Sequence, residues 1–170
     1  GPWRGRYLIS SIRLHLHKEP HPRLDYAGLR EELDRLGFQS AGPREVAQAI
    51  SSLRARKLPD PKELGNVGSF FTNPVVSAEQ SHALEQNHPE IPRYPQTDGR
   101  VKLAAGWLVE RCGFKGIRRG PVGVSDKQAL VLVHHGGGQG SQLIALAEEI
   151  QQAVLQRFGV SLAIEPRLLR

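Results

Sequence analysis

The sequence predicts an α+β protein in which short strands are flanked by helices. Two stretches carry that expectation. Between Ser141 and Phe158, the apolar residues Leu143, Ala147, Ile150, Val154 and Phe158 recur on one helical face, and Gly159 supplies the stop. Upstream, Val122–Val124 and Ala129–Val133 are apolar runs too short for helices, separated by the polar segment Ser125-Asp126-Lys127-Gln128. There are no internal repeats and no low-complexity tracts.

The chain has 170 residues, 39% hydrophobic and 24% charged, a globular composition that can support a real core. No apolar run approaches the roughly 18 residues of a membrane span, so no membrane partner is expected. The net charge of +6 and pI near 9.9 suit a polyanionic partner. The cations are interleaved with acids, however, as in Arg30-Glu31-Glu32-Leu33-Asp34-Arg35, and no aromatic-plus-basic platform accompanies them. A phosphate-bearing small ligand is expected rather than nucleic acid. The single cysteine, Cys112, cannot form an internal disulfide, which fits a reducing, cytoplasmic setting. There is no methionine, so the chain is expected to be a processed or excised piece, and Gly1-Pro2 reads equally as native sequence or as a cleavage scar.

Taken in order, Tyr7 to His17 alternates, with Leu8, Ile12, Leu14 and Leu16 set against Arg13, His15 and His17; this predicts a strand with one buried face. His15 and His17 share a face, but no cysteine or carboxylate accompanies them, and no metal site is assigned. Asp25-Tyr26-Ala27-Gly28-Leu29 opens a short helical or loop passage ending at Gly37. Gly42-Pro43 starts a helix with the stripe Val46, Ile50, Leu53, and Arg54, Arg56 and Lys57 complement the dipole of its last turn. Leu58-Pro59-Asp60-Pro61 stops it.

Further on, Ser77 and Gln80 form a capping box opening a helix through about Gln86. His88 to Pro95 reads as a proline-punctuated loop presenting Tyr94, and Asp98-Gly99 as a turn. Val101 to Cys112 passes from strand end to helix, with Gly113 as its stop. His134-His135 and the glycines to Gly140 form a loop that lacks the Lys-Ser/Thr of a phosphate-binding loop. Val160 to Ile164 reads as a last strand.

One stretch stands apart: Gly65-Asn66-Val67-Gly68-Ser69-Phe70-Phe71-Thr72-Asn73-Pro74. Glycine permits positive φ and close backbone approach, so Gly65 and Gly68 suit a turn against a ligand or a neighbouring strand, with the Ser69 hydroxyl fixed by adjacent aromatics. A tight turn entering a buried strand fits the same residues.

That stretch, with Lys57-Leu58-Pro59-Asp60-Pro61, Lys102-Leu103-Ala104-Ala105-Gly106-Trp107-Leu108, Gly113-Phe114-Lys115-Gly116, Lys127-Gln128-Ala129-Leu130-Val131-Leu132 and Glu165-Pro166, resembles the UDP-N-acetylenolpyruvoylglucosamine reductases of bacterial cell-wall synthesis. The motifs run in order over nearly the whole chain. The resemblance implies a cytoplasmic bacterial flavoprotein oxidoreductase of peptidoglycan synthesis, and with it roles in cell-wall biogenesis, cell shape, division and the cell cycle. It implies FAD and NADPH as cofactors and UDP-N-acetylenolpyruvoylglucosamine as substrate. Residues 1–58 would be the end of an incomplete FAD-binding region, 59–159 the substrate-binding domain, and 160–170 a last strand returning to the flavin side. The glycine-rich FAD-holding segment and the catalytic arginine of the family are expected in an N-terminal half not contained in this chain.

By the same resemblance Ser69 matches the proton donor, and Glu165 an acid that relays a proton or stabilises the intermediate when protonated. Lys57, Asn73, Tyr94, Lys115 and Gln128 match positions that hold the UDP-sugar, the lysines on phosphate and Tyr94 against the nucleotide. Tyr26 matches a tyrosine-bearing insertion that clamps substrate. Each has a plainer reading: Lys57 as a helix-end charge, Lys115 as a loop solubiliser, Tyr94 as a packing residue, Glu165 as a partner of Arg167. Two rival functions remain, a stand-alone phosphate or nucleic-acid binding module and an excised, inactive fragment.

Overall fold

The computed structural model describes residues 6–168; Gly1-Pro2 and the end of the 160–170 segment lie outside the described residues. The chain divides into two compact units, Gly1–Leu53 and Arg54–Arg170. The secondary structure mixes helices with short antiparallel strands, an α+β arrangement as expected.

In the first unit, helix α1 (Leu29–Arg35) and the first turns of α2 (Pro43–Lys57) bury Leu29, Leu33, Ala49 and Leu53 against Leu24, Leu36, Phe38, Val46 and Ile50. Pro43 opens α2, where its missing N–H costs nothing. Glu32 is 1% exposed and is held by the Arg35 guanidinium, which also reaches Ser52 Oγ at 3.0 Å. A buried carboxylate is tolerated only with such a partner.

The strand expected over Tyr7–His17 does not form. The segment carries no regular structure, and Leu8, Ile12, Leu14 and Leu16 are exposed, Leu8 at 93%. Alternation marks which residues would share a face, but a strand also needs a neighbour for its backbone N–H and C=O groups. Among the described residues none pairs with it.

The second unit holds two antiparallel sheets around one core. A four-stranded sheet has the order β1 (Gly65–Ser69), β7 (Val131–His134), β6 (Val122–Val124), β5 (Arg118–Arg119). A three-stranded sheet has the order β2 (Val75–Val76), β4 (Val101–Leu103), β3 (Arg93–Pro95). Strand β3 corrects the expectation of a plain loop: it is an edge strand ending at Pro95, a position where a missing N–H breaks no ladder. Strand β5 carries no apolar signal and was not expected. The last segment is less regular than expected, making a single bridge, Phe71 to Ile164, rather than a full strand.

Helix α5 (Gly140–Phe158) buries Leu146, Ala147, Ile150, Val154 and Phe158 in this core, and Gly159 closes it at φ 64°. Fully burying each larger aliphatic or aromatic side chain stabilises by about 1.5–3 kcal/mol relative to exposure. Helix α3 (Ala78–Asn87) is capped by Ser77 Oγ accepting from the Gln80 N–H at 3.1 Å. The Gln80 amide does not complete the capping box but donates to the Gly159 carbonyl at 2.9 Å, joining α3 to the end of α5. Helix α4 (Ala105–Arg111) meets both through Trp107, whose ring lies 5.7 Å from Phe158 and 6.0 Å from His88. No helix among the described residues is long and apolar enough to cross a membrane.

Candidate functional site

Strand β1 is paired with β7 at Gly65↔His134 and Asn66↔Val133, and again at Ser69↔Val131. Three steps on β1 are therefore matched to two on β7, which is a β-bulge at Val67-Gly68. Gly68 takes φ 76°, a left-handed conformation that glycine adopts without penalty. Both readings of this stretch meet here: it is a strand, and a kink within it. Ser69 follows the bulge and is exposed.

Immediately after Ser69 the chain is pinned on both sides. The Phe70 N–H donates to the Leu130 carbonyl at 2.8 Å, and the Phe70 carbonyl accepts the Glu165 N–H at 3.0 Å. Phe70 and Phe71 are 2% and 1% exposed, with their rings edge to face at 5.5 Å. They anchor the segment, and the backbone of Glu165, an exposed residue, is held beside Phe70, the residue after Ser69. The Thr72 N–H donates to Ala163 at 2.9 Å and continues this pairing.

Asn73 comes next, and its Oδ1 accepts the Ala105 N–H at 2.9 Å, capping α4. The next residue of α4, Gly106, leaves room for Gln128, whose Oε1 would lie 3.1 Å from a Cβ built there. Gln128 Oε1 also accepts from the Leu130 N–H at 3.4 Å, and Leu130 directly precedes Val131, the strand position opposite Ser69. Backbone pairing and these contacts link the segments that carry Ser69, Asn73, Gln128 and Glu165. Lys115 stands on an adjoining loop: Gly116 packs toward Asp126 of the segment leading to Gln128, and Lys115 Nζ pairs with Glu110 Oε1 at 3.0 Å.

Tyr94 is 51% exposed on β3, opposite Lys102, which in turn faces Val75. Cross-strand partners share a sheet face, so Lys102 stands beside Tyr94 on the side away from buried Val76 and Leu103. Sequence reading passed over Lys102; its placement between Val75 and Tyr94 depends on a register that only the folded sheet supplies. Lys57 ends α2, and the following loop is tied to the bulge by Asn66 Nδ2 donating to the Pro59 carbonyl at 3.3 Å. Tyr26 belongs to the first unit, where it is 54% exposed.

Two clefts flank Ser69. One, of about 600 Å³, is lined by Arg54, Leu58, Pro59, Asn66, Gly68 and Lys127 among others. The other, of about 780 Å³, is lined mainly by Val67, Phe70, Leu143, Ile144, Pro166 and Leu168, with Glu148 and Arg167 as its charged members.

A family profile described as UDP-N-acetylenolpyruvoylglucosamine reductase, C-terminal domain, matches residues 60–169. The chain belongs to this family. It is 50% identical over 165 residues to a UDP-N-acetylenolpyruvoylglucosamine reductase of Chromobacterium violaceum, covering 97% of this chain and 48% of the relative. It is 52% identical over 163 residues to the reductase of Pseudomonas aeruginosa, covering 96% and 48%. The chain spans about half the length of the curated relatives it matches. The match from residue 60 onward takes in the whole Ser69 segment, both sheets and Glu165, so Ser69, Asn73, Gln128 and Glu165 all lie within the matched span.

Proposed function

We propose that the chain is the substrate-handling part of an FAD-dependent, NADPH-using UDP-N-acetylenolpyruvoylglucosamine reductase, an oxidoreductase of peptidoglycan synthesis in the bacterial cytoplasm. The observation that supports the proposal is the backbone pairing that sets Glu165 against Phe70, one residue after Ser69. Residues 1–58 would serve the flavin-binding region, 59–159 the substrate, and 160–170 the return to the flavin side. The 780 Å³ cleft presents an apolar wall next to Ser69 that fits one face of a flat ring system. Its two charged lining residues do not make a pyrophosphate cradle, so the main FAD contacts fall to chain beyond these residues.

When bound, the flavin, recharged from NADPH, supplies hydride to the terminal alkene carbon of the enolpyruvyl ether. Negative charge then develops on the carbon next to the carboxylate. The Ser69 hydroxyl donates a proton to that carbon, which completes the saturated ether. Serine is a weak acid, but a carbanionic carbon is a strong base, and a positioned hydroxyl suffices. Glu165, paired through its backbone with the neighbouring Phe70, relays the replacement proton or steadies the developing charge. Lys57 and Lys115 neutralise the diphosphate, Asn73 and Gln128 hold the sugar-phosphate with amide donors, and Tyr94 packs on the nucleotide, while Tyr26 keeps only its match to the family's substrate-clamping tyrosine. Lys115 exchanges Glu110 for phosphate at little cost, because an exposed ion pair is worth about 0–1 kcal/mol.

The test is Ser69→Ala in the full-length flavoenzyme, followed as two stopped-flow half-reactions. Flavin reduction by NADPH is expected to be unchanged, and reoxidation by the enolpyruvyl substrate to slow by about 10²–10⁴-fold. Equal slowing of both would assign Ser69 to shaping the site, and slowing of neither would reduce it to a strand residue.

A further inference from the structure

We infer that Asn66 is a positioning residue for Ser69, and that it works by locking the β-bulge that decides which face of the sheet the hydroxyl occupies. The inference rests on the role of Ser69 given above. The side chain of Asn66 makes three contacts: Oδ1 accepts the Gly68 N–H at 3.1 Å, and Nδ2 donates to the carbonyls of Leu64 at 2.9 Å and Pro59 at 3.3 Å. One amide therefore joins the turn inside the bulge to the loop leaving α2.

The register shows why this matters. Asn66 pairs with Val133 and Ser69 with Val131, two positions that share a face of β7. Without the extra residue, Gly68 would meet Val131, and Ser69 would move one position along and point through the opposite side. A one-residue slip reverses every side chain that follows it. Downstream, Phe70 is fixed by backbone hydrogen bonds to Leu130 and Glu165, whereas the geometry of the bulge is held by the Asn66 side chain. Asn66 is half-buried and lines the 600 Å³ cleft, but both ends of its amide are engaged within its own loop, by Gly68 on the oxygen and by Leu64 and Pro59 on the nitrogen.

The experiment uses the full-length flavoenzyme with Asn66→Ala and Asn66→Asp. Asp keeps the acceptor for the Gly68 N–H and loses the donors; Ala loses both. Asn66→Ala is expected to slow reoxidation by the enolpyruvyl substrate by about 10–100-fold while flavin reduction and UDP-sugar affinity stay within about twofold, with Asn66→Asp recovering part of the loss. Amide exchange at Gly68 is expected to accelerate in Asn66→Ala and less in Asn66→Asp. Equal slowing of both half-reactions, slowing of neither, or an unchanged Gly68 exchange rate overturns the inference. A parent enzyme that never reoxidises with the enolpyruvyl substrate refutes the proposed function instead, and the clamp then stands or falls on Gly68 exchange alone.

Discussion

The side-chain carbonyl of Asn73 accepts the backbone N–H of Ala105, the first residue of α4, so that a loop residue between β1 and β2 caps a helix 32 positions away in sequence. The cap residue proper, Ala104, has no side chain to do this. One end of the Asn73 amide is thereby committed to the fold and the other, the NH₂ group, is left as a donor. Asn73→Asp keeps an acceptor for Ala105 and places negative charge at a helix start, so thermal stability is expected to hold. Binding of UDP-N-acetylglucosamine is expected to weaken sharply, because the donor becomes an anion facing phosphate. Asn73→Ala is expected to lose binding and also about 0.5–2 kcal/mol of stability by chemical denaturation. Equal stability of the two variants would show that the cap contributes nothing.

Two glycines next to the central strand should fail on substitution for different reasons. At Gly68 a Cβ meets nothing within 4 Å, but φ is 76°, so Gly68→Ala costs about 1–2 kcal/mol through backbone conformation alone. At Gly123, on β6, a Cβ would lie 2.5 Å from the Ile117 carbonyl oxygen, and the strand pairing itself must shift. Urea denaturation should therefore rank Gly123→Ala as the more damaging, and Gly68→Asn, which tolerates left-handed φ, as milder than Gly68→Ala. The reverse order at Gly68 would remove backbone strain as the cause.

Cys112 lies half-buried at the end of α4; burial pushes its thiol pKa up, and the nearby Arg157 guanidinium pulls it part of the way back. The folded chain therefore holds the thiol neutral at pH values where the unfolded chain begins to ionise it. Alkylation by iodoacetamide should inflect at higher pH in the folded protein than in urea, and the associated stability should be lost as pH rises past the unfolded thiol value. Arg157→Gln removes the opposing influence and should move the inflection higher still; a move downward would contradict the assignment of causes.

The elements legible in the sequence are those whose signal is local. The α5 stripe, the Ser77 cap and the Gly113 and Gly159 stops each depend on residues within a few positions, and each is found in the structure. What stayed hidden depends on a partner elsewhere in the chain. Tyr7–His17 has a strand's alternation without a described neighbour, and β3 and β5 are edge strands of two or three residues whose existence is decided by β4 and β6. The bulge could be suspected from Gly68, but its effect on Ser69 is a matter of register with β7. Lys102 is the same case, since only pairing reveals that it adjoins Tyr94.

The pairing of β1 with β7 has a kinetic side. Val124 and Leu132 meet across a short connection, whereas Ser69 and Val131 must close all the chain between β1 and β7 to meet. The difference is roughly three doublings of loop length, on the order of 2 kcal/mol of extra closure entropy. Contacts of that range are rewarded only after the local ones beneath them exist. The β6–β7 ladder and α5 can therefore assemble from neighbouring sequence, while Ser69 is carried on a strand that docks only through long-range contacts, so the proposed chemistry waits on the slower, non-local part of the fold.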